Sequence, residues 1–492
     1  MKHKDSLSVN YIFQIIYQLL NVIIPLITTP YIARVLGPVN NGLYTYSFSI
    51  SNYFVIFSAL GIELYGNRLI ARTKNLDKHT FNEEFSSLLY LHIINSVLCL
   101  VLYFIFVSIF VKENKPLFAV QSLYIVASVL DINWLFFGLE QFRLTVTRNI
   151  AIKLLGVLCI FLFVKHEQDF VIYSFILAFS VVLSNLVLWF FVRKNVSFIK
   201  ADYRKIFSHY KPLLILFFAV IATGIYQLFG KVMLGFGDNM VGLASFEYSD
   251  RMIRIILTLS SALGTVMLPR MSSLYSSRDT RSVSSNLMLS FHLLAFIAFS
   301  VSFGLAAISH DLLPVLLGKG YTQATEITKI MCLSVPIMVW NNFIRTQILI
   351  PKGNDNVYLL AVWCGAFANI ICNCILISFL GAIGAAISLV LSYSVVGIVQ
   401  TYPIRNDLPL KKYFLKSLIP FVSGIFLYIS VQFFSSNFSC SPIVIILFDI
   451  AIGFLVFVLS YSVFLFRFDP AFCNIISLNL KKVYFSIKKK TF

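Results

Sequence analysis

Apolar runs long enough to cross a bilayer recur along this chain from one end to the other. A helix needs about 20 predominantly apolar residues to span a hydrocarbon core roughly 30 Å thick. By that criterion spans are expected at about 10–36, 42–62, 86–111, 117–138, 148–164, 170–192, 212–235, 243–268, 286–309, 328–350, 356–378, 381–402, 415–434 and 442–466. Composition agrees: 59% of the residues are hydrophobic and 12% charged, where a soluble chain carries about a quarter charged. The expectation is an all-α polytopic membrane protein with about 14 transmembrane helices. Connectors such as 63–85 and 193–211 are short, too small to fold alone as a catalytic domain.

Topology follows from Lys and Arg. With the N-terminus in the cytoplasm, most of the 39 basic residues fall on the even-numbered connectors and the two termini. Examples are Arg68, Arg72, Lys74 and Lys78, then Arg193, Lys194, Lys200, Arg204 and Lys205, and the tail Lys488, Lys489 and Lys490. The opposite connectors hold Lys112, Lys115, Lys165 and Lys319. Positive charge concentrates on the cytoplasmic side of membrane proteins, so both ends are expected there. The net charge of +18 then reflects topology and attraction to anionic lipid, and no nucleic-acid partner is implied. Lys2 and Lys4 precede a long apolar run with no small-residue cleavage site, so the first span is expected to be retained.

The eighth span carries Glu247, Asp250, Arg251 and Arg254 among Ile, Leu and Met. Glu247, Arg251, Arg254, Thr258, Ser261 and Thr265 recur in steps of four and three, which places them on one helix face. Charges within a bilayer are costly and face a bundle interior or a wet cavity. Glu247–Arg251 and Asp250–Arg254 are both spaced i,i+4 with the acid first, the order that favours pairing. Further polar faces are Asn10, Gln14, Tyr17, Asn21 and Thr28 in the first span; Thr223, Gln227 and Lys231 in the seventh; Asn341, Asn342 and Arg345 in the tenth; and Asn369 and Asn373 in the eleventh.

Arg34, Lys153, Lys231, Arg251, Arg254, Lys329 and Arg345 lie within or beside the apolar runs, against Asp131, Glu247, Asp250 and Asp449. Bases exceed acids, and Arg presents a planar fork suited to phosphate. The interior is therefore expected to receive an anion. Lys153 also reads as a snorkelling residue near a helix end. Asp131, Asp250 and Asp449 are candidate titrating groups, and Asp250 reads equally well as an ion-pair partner. Pro25 and Pro30 interrupt the first span and are candidate hinges.

Two hairpins resemble each other: Val35-Leu36-Gly37, Gly42-Leu43 and Ser58-Ala59-Leu60-Gly61 beside Met233-Leu234-Gly235, Gly242-Leu243 and Ser261-Ala262-Leu263-Gly264. Read as a repeat, they divide the chain into a six-helix lobe at 1–192, a basic cytoplasmic linker at 193–211, a second six-helix lobe at 212–402, and two added helices with a basic tail at 403–492. There is no Walker-type phosphate loop, no H-E-x-x-H, no G-x-S-x-G, and no cysteine spacing that suggests zinc or a disulfide framework. No metal, cofactor or catalytic residue is expected.

The stretch Pro25-Leu26-Ile27-Thr28-Thr29-Pro30-Tyr31-Ile32-Ala33-Arg34-Val35-Leu36-Gly37, followed by Gly42, Tyr44 and Tyr65-Gly66-Asn67-Arg68, resembles the bacterial polysaccharide (O-antigen or capsule repeat-unit) flippases of the multidrug/oligosaccharidyl-lipid/polysaccharide exporter superfamily. Arg148-Asn149-Ile150 with Lys153, and Gly381-Ala382-Ile383-Gly384-Ala385-Ala386-Ile387 after Asn369 and Asn373, continue the likeness over nearly the whole chain. The resemblance implies two six-helix lobes around a central cationic cavity in the bacterial cell membrane. It implies movement of an undecaprenyl-pyrophosphate-linked oligosaccharide from the cytoplasmic to the outer leaflet. Its partners would be that lipid, the bilayer, and the polysaccharide polymerase and chain-length machinery. On this reading Arg251 and Arg254, then Arg34, Lys231 and Arg345, contact the substrate or wall its cavity, with Glu247, Asp250 and Asp131 as paired or coupling groups. The rival from another class is a membrane polymerase or ligase of the same pathway; within transporters, a lipid II or drug exporter.

Overall fold

Inside lipid every backbone N–H and C=O must be satisfied within the protein, so an apolar run there becomes a helix. The computed structural model describes residues 7–277, 279–437 and 441–470, and among these there is no strand. The α-helices are α1 (Leu7–Ala59), α2 (Ile62–Thr73), α3 (Lys78–Phe110), α4 (Lys115–Val129), α5 (Asn133–Gly138), α6 (Phe142–Phe163), α7 (Phe170–Val192) and α8 (Tyr203–Ser208). They continue as α9 (Tyr210–Phe236), α10 (Met240–Ser276), α11 (Thr280–Leu317), α12 (Ala324–Cys332), α13 (Ser334–Ile344), α14 (Asp355–Thr401), α15 (Leu410–Asn437) and α16 (Pro442–Phe468). The side chains of Asn10, Gln14, Tyr17 and Asn21 lie outside the described residues, as do the tail lysines.

Among the described residues, eleven helical segments are long and apolar enough to cross a membrane, and twelve if α10, bent by 41°, is one span. The protein is a multi-pass membrane protein. Two of the segments are too long for one crossing: α1 has 53 residues and α14 has 47. Each is broken at a glycine outside helical geometry, Gly37 (φ 70°, ψ 171°) and Gly381 (φ 56°, ψ −129°). Counting the limbs on either side of these breaks separately recovers the roughly fourteen spans read from hydropathy. Within α1 the backbone departs from helical angles at Gly37, while Pro25 and Pro30 sit inside the helical stretch.

A side chain at Gly381 would be strained at that positive φ, by about 1–3 kcal/mol. Its Cβ would also sit 3.0 Å from the Asn239 amide nitrogen. Gly381→Ala is therefore expected to lower the unfolding temperature of the purified protein. An unchanged thermal transition would show that this turn adapts to a side chain.

The chain forms two compact units: Met1–Glu247 with Leu316–Thr322 and Asn369–Ala385, and Tyr248–Val315 with Gln323–Ala368 and Ala386–Phe492. In the first, Ile50, Cys99, Tyr103, Phe118 and Ile125 pack α1, α3 and α4 together. The 193–211 stretch packs on the helices of the first unit. Val196 and Ile206 are buried with Phe85, Trp134 and Leu188. Asn82 and Ser86 of α3 accept the N–H groups of Ser197 and Ile199, and Lys205 meets Glu84 at 2.5 Å. In the second unit Ala307, Leu427, Val431 and Phe457 join α11, α15 and α16. Asp469, just past α16, closes that bundle against His292 and Lys416. Burial pushes the Asp469 carboxyl up, but Lys416 and His292 together outweigh it and hold it below the usual carboxylate range.

Candidate functional site

The break between α4 and α5 creates the polar site of the first unit. A helix end leaves its last carbonyls without intrahelical partners. Here Asn185 of α7 donates to the Ala127 carbonyl at 2.7 Å, Trp189 to that of Leu130 at 2.9 Å, and Trp134 to that of Asp131 at 3.2 Å. The Asp131 carboxylate folds back over the start of α5. Its Oδ1 accepts from the Asn133 backbone N–H at 2.8 Å and from the Asn133 side-chain amide at 2.7 Å.

Arg148 ties this corner to α6 and α7. Its side chain is buried. Nη1 donates to the Ser184 carbonyl at 2.5 Å, and Nη2 to Asn133 Oδ1 at 3.0 Å and Asn149 Oδ1 at 2.7 Å. Ser184 Oγ also donates to Asn149 Oδ1, at 2.8 Å. One guanidinium fork thus organises three elements, which a lysine ammonium does not match in geometry.

This network forms one wall of a cavity of about 440 Å³ within the first unit. Pro25 and Thr28 of α1, Tyr124 of α4, Lys153 of α6 and Tyr173 of α7 complete it. Its formal charges are Arg148 and Lys153 against Asp131, so it is cationic. Amides, hydroxyls and tyrosine rings offer donors, acceptors and apolar faces, and the two bases suit a phosphate. Ionisable groups within membrane-spanning segments mark function by default.

The structure distributes the other residues singled out from sequence between the two units. In the first unit, Arg34 is exposed and its aliphatic stem lies against Gly318. Lys231 is buried, with Nζ 2.6 Å from Glu247 Oε2. Pro30 is half-buried, while Pro25 and Asp131 belong to the cavity. In the second unit, Arg254 Nε donates to buried Asp250 at 2.9 Å, the pairing that the i,i+4 spacing implied. The Arg251 guanidinium is 5.6 Å from the Tyr248 ring centroid. Arg345 donates to Asn342 Oδ1 at 2.9 Å and lies 5.5 Å from the Tyr358 ring centroid. A second cavity in this unit, about 650 Å³, is walled by Phe291, Trp340, Ile398 and Tyr413 and is largely apolar.

Sequence reasoning missed Arg148 as an intramembrane cation because it put the start of the fifth span at that residue. The helix begins at Phe142, so Arg148 lies well inside it. Asn133, Ser184 and Asn185 carried no signal of their own, since Asn and Ser also serve as packing glue between membrane helices.

The family model described as "Polysaccharide biosynthesis protein" matches residues 7–275. A "Putative O-antigen transporter" of Shigella dysenteriae is 27% identical over 380 residues, covering 75% of this chain and 92% of that protein. A "Putative O-antigen transporter" of Escherichia coli (strain K12) is 21% identical over 413 residues, covering 82% and 98%. Among solved structures, the lipid II flippase MurJ in an inward closed conformation matches with a TM-score of 0.75 at 15% identity, over 94% of this chain and 99% of that one. An inward-facing multidrug resistance MATE family transporter matches with a TM-score of 0.59 at 14% identity, over 78% and 94%. At such identities the likeness to these structures speaks for the fold.

Proposed function

This chain belongs to the family of polysaccharide biosynthesis proteins, and from that premise we propose that it is a flippase. Its cargo would be an undecaprenyl-pyrophosphate-linked oligosaccharide repeat unit, carried from the cytoplasmic to the outer leaflet of the bacterial cell membrane by alternating access. The observation that carries this reading is the cationic polar cavity around Arg148 and Lys153, in a chain otherwise built for lipid. A pyrophosphate needs cations held away from bulk water, and a sugar needs paired donors and acceptors. The names of the Shigella and Escherichia relatives point the same way.

The proposal includes two six-helix lobes at 1–192 and 212–402, cytoplasmic termini, and substrate contact by Arg251, Arg254, Arg34, Lys231 and Arg345. Pro25 and Pro30 give the first helix places to bend as access alternates. Glu247 and Asp250 hold bases of this set in place, and Asp131 fixes the corner beside Arg148.

Deletion of the gene is expected to leave single lipid-linked units on the cytoplasmic face. Their accumulation on the outer face would instead assign a polymerase, and the flippase reading would fall. Substituting Arg251→Ala and Arg254→Ala, with Asp250→Asn alongside so that no buried carboxylate is stranded, is expected to abolish surface polysaccharide at normal protein levels. Polysaccharide retained in that variant would remove this helix from the substrate path.

A further inference from the structure

We propose that Asp449, in the middle of α16, is a proton-binding site. α16 is the most apolar of the candidate spans among the described residues. Asp449 is nevertheless 2% exposed, and its Oδ2 is buried with no hydrogen-bond partner. The carboxyl borders a cavity of about 200 Å³ whose other walls include Ser300, Gly304 and Ile308 of α11, Leu427 of α15 and Phe457 of α16.

The surroundings favour the neutral acid. A carboxylate in an apolar enclosure loses its hydration and needs a cation or several donors in return. Among the described residues, α15 offers no charged side chain between Lys416 and Asn437, and its titratable group there is Tyr428. α16 itself adds Tyr461 and, at its end, Arg467. On α11 the groups are Arg281, in its first turn, and His292, His310 and Asp311. His292 and Lys416 are both engaged with Asp469. Asp311 is an acid whose charge acts against a second one at Asp449, and it accepts from Ser435 Oγ at 3.1 Å and lies 3.2 Å from His310 Nδ1.

The ligand is a proton rather than a metal ion because the wall lacks ligands. A hard cation takes roughly six oxygens. Here Asp449 is joined by one hydroxyl, Ser300 Oγ, which already donates to the Ile297 carbonyl at 3.1 Å. A proton needs a single oxygen. This inference stands on the geometry of the second unit and does not depend on what the protein transports.

Infrared difference spectroscopy of the full-length protein in lipid nanodiscs, titrated with acid and base, tests it. The expected result is a protonated-carboxyl C=O band, shifted by deuterium exchange, that disappears in Asp449→Asn. The band should be present at neutral pH, where an ordinary aspartate is ionised. Because Asn mimics the neutral acid, Asp449→Asn should melt no lower than the parent at neutral pH. Asp311→Asn should lower the midpoint by removing the opposing charge. A band unaltered in Asp449→Asn, a midpoint in the ordinary aspartate range, or displacement of the band by sodium chloride at fixed pH would each overturn the proposal.

Discussion

Replacing Lys231 with Met is expected to destabilise this protein more than replacing Lys231 and Glu247 together. The ammonium and the carboxylate meet at 2.6 Å, and the two side chains keep only 10% and 15% of their surface exposed. Removing one member of a buried pair strands the other charge, which typically costs about 3–5 kcal/mol. Removing both replaces a pair whose desolvation largely cancels its attraction, a change that is often close to neutral. Lys231→Met should therefore lower the thermal transition sharply, and Lys231→Met with Glu247→Met should recover most of the loss. Equal destabilisation in the single and double variants would show that Glu247 is not held by Lys231.

The spans were legible for a physical reason: lipid leaves the backbone one common solution, so apolar runs translate directly into helices. Gly37 and Gly381 were legible as edges between runs, and the backbone leaves helical geometry at both. Asp250–Arg254 was readable because both residues lie on one helix, where spacing fixes geometry. Lys231 and Glu247 were visible as intramembrane charges, but their pairing joins α9 to α10, and no local period encodes that. The cavity was hidden for a similar reason. It depends on carbonyls freed at the end of α4 and claimed by α7, a tertiary event. Arg148 depended on an element boundary, the least secure product of hydropathy.

Arg148→Ala is expected to abolish surface polysaccharide, and Lys153→Gln to reduce it, for different reasons. Arg148 satisfies the Ser184 carbonyl and the Asn133 and Asn149 amide oxygens at once. Each acceptor left unsatisfied in a buried site costs about 1–3 kcal/mol, so Arg148→Ala should also lower thermal stability. Arg148→Lys keeps the charge but loses the planar fork; it should regain some stability and little transport. Lys153 is exposed at the cavity, so Lys153→Gln should melt like the parent. It should nevertheless slow transport of a pyrophosphate-linked oligosaccharide into vesicles by about tenfold, the effect of roughly 1.4 kcal/mol of lost attraction. The contrast between the two sites separates a wall that holds the fold from one that holds a ligand. Full transport by Lys153→Gln and by a folded Arg148→Lys would place the substrate path outside this cavity.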